Sequence, residues 1–121
     1  MKALPHPWQN FAPKTIAQLI GEGKVVFVNV TAEWCLTCKA NELTVLRQDD
    51  IVTLLADPTT VAMQADWTRP DSEIARYLAS FGRYGIPFDV VYGPSAPQGI
   101  ILPEILTDGA LSDAVAQARH E

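Results

Sequence analysis

The run Val25-Val26-Phe27-Val28-Asn29-Val30 is β-branched or aromatic at five of its six positions and has no polar face. A strand of that composition must be covered on both sides, which places it at the centre of a sheet with helices above and below. Five residues after Val30, Cys35-Leu36-Thr37-Cys38 opens a helical pattern that continues to about Arg47. These are the chain's only two cysteines, so both sit just beyond the carboxyl end of the central strand.

The other elements follow from periodicity and punctuation. Ile16, Leu19 and Ile20 give a short helix over residues 15–20, stopped by Gly21 and Gly23. Asp49 or Asp50 can cap a helix through Ile51, Leu54 and Leu55, and residues 60–65 read as a strand. Thr68 as cap, with Pro70 in the first turn, starts a helix whose apolar face is Ile74, Tyr77, Leu78 and Phe81 and which Gly82 ends. Residues 88–92 and 99–102 form a hairpin across the turn-rich segment 93–98. Thr107 or Asp108 caps a last helix carrying Leu111, Ala114, Val115 and Ala118. The expected fold class is α/β: a central mixed sheet of four main strands, with a short fifth near residues 8–11, flanked by helices. The 121 residues suffice for one domain, expected over residues 14–121. Residues 1–13, with three prolines and no periodicity, read as a tether, which suits a piece of a larger protein.

Charge and hydropathy exclude several classes of function. Nine Lys and Arg against fourteen Asp and Glu give a net charge of −5 with no basic cluster, which argues against nucleic acid and anionic lipid surfaces. The longest apolar run falls far short of the roughly 18 residues that span a bilayer. The first 13 residues hold one Lys and no apolar core, so they do not read as a secretory signal.

Two cysteines three apart at a strand-to-helix junction point to chemistry. Amides at a helix start stabilise an anion, so Cys35 should ionise more readily than a free thiol, and Cys38, one turn on, can displace a partner bound to it. A stapling role is weak, because so short a loop constrains the unfolded chain little. Half a zinc site is weak too, because the two histidines, His6 and His120, lie near opposite ends. No metal or other cofactor is expected. Glu42 shares a helix stripe with Cys35 and Cys38 at i, i+3, i+7, and that stripe continues into Val45 and Leu46. An inward Glu42 could take the Cys38 proton. Gly85-Ile86-Pro87 opens the third main strand, and the expectation is a cis Pro87 packed beside the sulfurs. Connectivity brings Trp34, Cys35, Ile86, Pro87 and Pro103-Glu104 to one sheet edge, with Asp66-Trp67 beside them. Ile86, Pro87, Trp34 and Glu104 are the expected docking residues, a partner's extended segment pairing with the backbone at Ile86.

The segment Val28-Asn29-Val30-Thr31-Ala32-Glu33-Trp34-Cys35-Leu36-Thr37-Cys38-Lys39, followed some fifty residues later by Gly85-Ile86-Pro87, resembles the thioredoxin superfamily. With Glu42, Ala65-Asp66-Trp67-Thr68 and Leu102-Pro103-Glu104-Ile105-Leu106-Thr107, it is similar to the C-terminal domain of the transmembrane thiol:disulfide interchange proteins DsbD and ScsB. The resemblance spans about residues 14–118 and implies a thioredoxin fold. It also implies a protein-disulfide reductase, periplasmic, at the end of an inner-membrane electron conduit. Such a domain takes electrons from a membrane-embedded donor domain and reduces a periplasmic thiol protein or domain. Carried over by position, Cys35 is the nucleophile, Cys38 the resolving thiol, Pro87 the cis-proline, and Glu42 an acid that tunes the cysteines.

One departure stands out. Thioredoxins place a buried Asp on the central strand six residues before the first Cys, and Asn29 stands there. An amide cannot accept a proton as a carboxylate does, so that role falls to Glu42 or to water. Leu36-Thr37 between the cysteines matches neither thioredoxin's Gly-Pro nor the Pro-His of strong oxidants, which leaves the potential open. Two other readings use the same pair: an oxidase or isomerase of protein disulfides, and a copper-handling module, since two thiolates suit Cu(I). The sequon Asn29-Val30-Thr31 lies in the central strand and reads as buried, Trp8 and Trp67 as core or rim packing, and both histidines as solvated.

Overall fold

The central run becomes β2 (Val25–Thr31), buried at its first six positions. In this computed structural model, residues 8–119 are described. Residues 1–7 of the expected tether, with His6, and His120 at the other end lie outside them. The order is β1 (Gln9–Asn10), a 3-10 turn, α1 (Ile16–Gly21), β2, α2 (Leu36–Asn41) running into a π-helical segment (Glu42–Leu46), and α3 (Asp49–Leu55). There follow β3 (Thr60–Asp66), α4 (Ser72–Ala79), β4 (Phe88–Gly93), β5 (Ala96–Ile101) and α5 (Asp108–Arg119). The five strands form one mixed sheet in the order β1-β3-β2-β4-β5. β1 and β2 both run parallel to β3, while β4 is antiparallel to β2 and to β5.

Strand alternation sorts the core into two layers. Val25 and Phe27 of β2 and Val91 of β4 pack with Val45 and Leu46 behind α2, with Ile51 of α3, and with Leu111 and Val115 of α5. Val26, Val28 and Val30 look the other way, onto Ile16 of α1 and Ile74 and Leu78 of α4. Phe27 has no exposed surface, and truncating such a side chain costs about 3–5 kcal/mol. Trp8 stacks obliquely on Phe27 at 6.0 Å between ring centroids, so residues just before β1 are part of the packed unit.

Three local starts differ from the sequence reading. α3 begins at Asp49 under Gln48, whose side chain makes no capping bond, and Asp49 and Asp50 stand inside its first turn, where their charge suits the helix dipole. α4 begins at Ser72 under Asp71, whose carboxylate accepts from the Glu73 and Ile74 amides at 2.9 and 3.1 Å. Thr68 is engaged elsewhere: its Oγ1 donates to Asp66 Oδ1 and accepts from the Glu33 amide at 2.9 Å, which ties the loop after β3 to the approach to Cys35. The hairpin is tighter than a loop over 93–98, because β5 already starts at Ala96. Pro97 is tolerated because β5 is an edge strand, and Gly99, at φ +94°, follows a register shift opposite Val91 and Gly93. Gly93 closes against α5: a Cβ there would sit 2.7 Å from the Ala118 carbonyl carbon. Thr107 caps α5 as expected, accepting from the Ala110 amide at 3.1 Å. Among the described residues no helix is long and apolar enough to cross a membrane.

Candidate active site

The chain leaves β2 at Thr31, turns through 32–34 and re-enters over the sheet as α2, with Cys35 as its N-cap. Cys35 is extended at φ −95°, ψ 104°, and its Sγ accepts the Cys38 amide at 3.1 Å. Sulfur therefore does what a Ser or Asp oxygen does at other helix starts, in the place where negative charge is best tolerated. Cys35 and Cys38 form a disulfide across that first turn, with their Cα atoms 5.2 Å apart. Both are buried, at 6% and 5% exposure, in a small cluster with Ala32, against which Ile86 packs.

Ile86 arrives from the loop before β4, and the Ile86–Pro87 peptide bond is cis. Pro87 is buried. Trp34 is mostly exposed, its indole N–H donating to the Thr68 carbonyl at 3.2 Å, and it lines a groove with Trp67, Arg69, Pro70 and Tyr84. Leu36, Thr37 and Ile105 line a second groove, which shares no residue with the first. Glu104 is exposed, and its backbone carbonyl accepts from Asn41 Nδ2 at 2.8 Å. Asn41 Oδ1 in turn accepts the Leu106 amide at 3.0 Å, so one buried amide side chain clamps the 103–106 loop to the cysteine helix. Sequence reasoning passed over Asn41, which falls one residue off the cysteine stripe.

Glu42 follows Asn41 where the helix widens. The Arg47 amide donates to the Glu42 carbonyl at 2.9 Å, the five-residue spacing of a π-turn. The Glu42 carboxylate is about three-quarters covered and lies 3.6 Å from Arg47 Nη2. The fully buried acid is Asp89 on β4, 1% exposed. Its Oδ1 accepts from Asn29 Nδ2 at 2.6 Å, and burial pushes its carboxyl up to about 7, the Asn29 hydrogen bond pulling the other way. The signal for it was present: Asn29 and Asp89 are the lone polar residues in 25–30 and 88–92. Among the described residues no group of three or more His, Cys, Asp or Glu is gathered to hold a metal ion.

A family model described as thioredoxin-like matches residues 7–94. The chain belongs to that thioredoxin-like family. The thioredoxin-like domain is 35% identical over 66 residues to the thiol:disulfide interchange protein DsbD of Yersinia pestis. That match covers 54% of this chain and 11% of the relative, so the domain spans a small part of the curated proteins it resembles. The solved C-terminal domain of Neisseria meningitidis DsbD, in its oxidised form, superposes with a TM-score of 0.71 at 18% identity, covering 93% of this chain and 99% of that one. A thioredoxin from Thermus thermophilus superposes with a TM-score of 0.66 at 22% identity, covering 93% of this chain and 85% of that one. These two share the fold. The thioredoxin-like fold, the Cys35–Cys38 disulfide and the likeness to DsbD together support a thiol–disulfide oxidoreductase.

Proposed function

We propose that this domain is a protein-disulfide reductase that relays electrons by dithiol–disulfide exchange, from a membrane-embedded donor domain to a periplasmic thiol protein or domain. The observation that carries the reading is the Cys35–Cys38 disulfide across the first turn of α2, with Cys35 Sγ held at the N-cap. A donor dithiol attacks this disulfide, passes it two electrons and leaves oxidised, so the domain becomes the dithiol. Cys35 thiolate then attacks a substrate disulfide, forming one mixed S–S bond and expelling one substrate thiolate. Cys38 gives up its proton and displaces the second substrate sulfur, which restores the Cys35–Cys38 disulfide and leaves the substrate reduced. Glu42 is the proposed acceptor of the Cys38 proton. Trp34, Ile86, Pro87 and Glu104 form the docking rim, a substrate segment adding to the backbone at Ile86. Periplasmic placement and the membrane donor come from the likeness to DsbD.

The test is the reduction potential of the pair, equilibrated against dithiothreitol and glutathione buffers with Cys35→Ser as control. A value near that of thioredoxin, roughly −270 mV, or modestly above it is expected of a reductant. A value near the DsbA extreme, about −120 mV, would make the domain an oxidant and reverse the direction of flow. In parallel, Cys38→Ser should trap the mixed disulfide on Cys35.

A further inference from the structure

A row of polar side chains crosses the sheet at one level, in strands that are otherwise apolar. Asn10 of β1 is the register partner of Gln64 on β3, Gln64 of Asn29 on β2, and Asn29 of Asp89 on β4. Gln64 Nε2 donates to Asn29 Oδ1 at 3.2 Å, and Asn29 Nδ2 donates to Asp89 Oδ1 at 2.6 Å. Asn10 is exposed and Gln64 half-buried, whereas Asn29 and Asp89 are buried at 4% and 1% exposure. Asp89 Oδ2 has no hydrogen-bond partner among the described residues. A carboxylate held by one amide and no cation is costly to ionise, so the site favours the protonated acid.

Alternation shows which layer this row faces. Phe27 and Val91, two positions from Asn29 and Asp89 on their strands, pack in the layer with Val45 and Leu46, which close the cysteine helix. Asn29 lies six residues before Cys35, two short of the end of β2. Ile86 packs on the cluster of Cys35 and Cys38, and Asp89 follows it by three residues at the start of β4. Both buried members of the row therefore stand at the end of the sheet that carries the disulfide. Above the sheet, α2 and its extension carry Cys35, Cys38, Lys39 and Glu42, Lys39 paired at the surface with Glu33 and Glu42 with Arg47. The remaining charges lie at or near the surface: Asp49 and Asp50 on α3, Asp108, Asp113 and Arg119 on α5, Asp66 at the end of β3, and Glu104.

We propose that Asp89 is a positioning residue for the redox pair, the buried acid whose proton is coupled to reduction of the Cys35–Cys38 disulfide, with Asn29 as its fixed hydrogen-bond link. The coupling rests on the reading of the cysteines as a redox centre. When a partner dithiol reduces the disulfide, the S–S bond takes two electrons, the partner leaves as a disulfide, and Cys35 holds part of the new charge as thiolate. A carboxylate at the same end of the sheet is repelled, so Asp89 takes up part of a proton on reduction and releases it on reoxidation. Asp89 supplies no electrons and forms no bond.

The experiment is the dithiol–disulfide equilibrium constant of the whole chain against dithiothreitol from pH 5.5 to 8.5, read by thiol alkylation. Asp89→Asn should match the unsubstituted chain at pH 5.5, where the acid is protonated. At pH 8.5 it should be easier to reduce by on the order of three- to tenfold, the effect of a coupling of up to one pKa unit. Asn29→Ala, which removes the donor that favours the carboxylate, should move the bend in the unsubstituted profile to higher pH. Profiles of Asp89→Asn and the unsubstituted chain that coincide at every pH overturn the proposal. So does an unmoved bend in Asn29→Ala, which remains decisive if Asp89→Asn fails to fold. A Cys35–Cys38 disulfide that cannot be reversibly reduced would overturn the redox reading itself, a separate result.

Discussion

Asn41 and Glu42 are adjacent on the helix that carries the cysteines; Asn41 is buried, and Glu42 stands at the edge beside Arg47. A helical wheel with a constant 3.6-residue turn places Glu42 under the sulfurs. The Glu42 amide still bonds to the Cys38 carbonyl, so the wheel's register holds as far as Glu42, and the widening starts only beyond it, where Arg47 comes round to pair with the carboxylate. Glu42→Gln tests the proton role directly. It should shift the pH–rate profile of thiol exchange while changing stability by less than about 1 kcal/mol, the usual scale of a partly exposed ion pair. A superimposable profile would leave Glu42 as the partner of Arg47 alone. Asp89 was harder to read, since one polar residue in an apolar strand points to nothing until its register partner is known. The pairing of Asn29 with Asp89 is a fact about the sheet.

Elements whose pattern spans several residues came through, whereas the starts of α3 and α4, each decided by a single cap, did not. The central strand, the cysteine helix and the apolar faces of α4 and α5 rest on repeated apolar positions, and folding satisfies all of them together. The start of α4 depended on whether Thr68 or Asp71 captured the free amides. Asp71 won them because Thr68 Oγ1 was already committed to Asp66 and to the Glu33 amide. The 103–106 loop is held to α2 by the two hydrogen bonds of Asn41, so Asn41→Ala strands the Leu106 amide and the Glu104 carbonyl. A loss of about 2 kcal/mol in denaturant unfolding is expected, together with slower exchange as the loop beside Leu36 loosens. Unchanged unfolding would mean that solvent replaces both bonds at no cost.

At the scale of the molecule, the buried acid links folding to pH. Asp89 gives up its proton near 3.8 when the chain is unfolded but only near 7 when folded, so between those values the folded chain holds a proton that the unfolded chain has released. Stability from this source is therefore greatest below pH 4, falls as pH rises to about 7, and is level above, a change on the order of a few kcal/mol. Urea midpoints at pH 4.5, 6 and 8 should show the unsubstituted chain losing ground to Asp89→Asn as pH rises, and parallel midpoints would refute it. The outer margin of the sheet has a different consequence. An open sheet ends in a row of amides and carbonyls on which another chain can begin to stack, the route by which crowded β-proteins polymerise. One of the two margins here is β5, where Pro97 offers no amide, Gly99 turns the backbone to positive φ and the register slips. The hairpin thus resists self-association along that margin, which fits the proposed addition of a partner segment at the loop ahead of Pro87, where it would meet sulfur instead of a copy of itself.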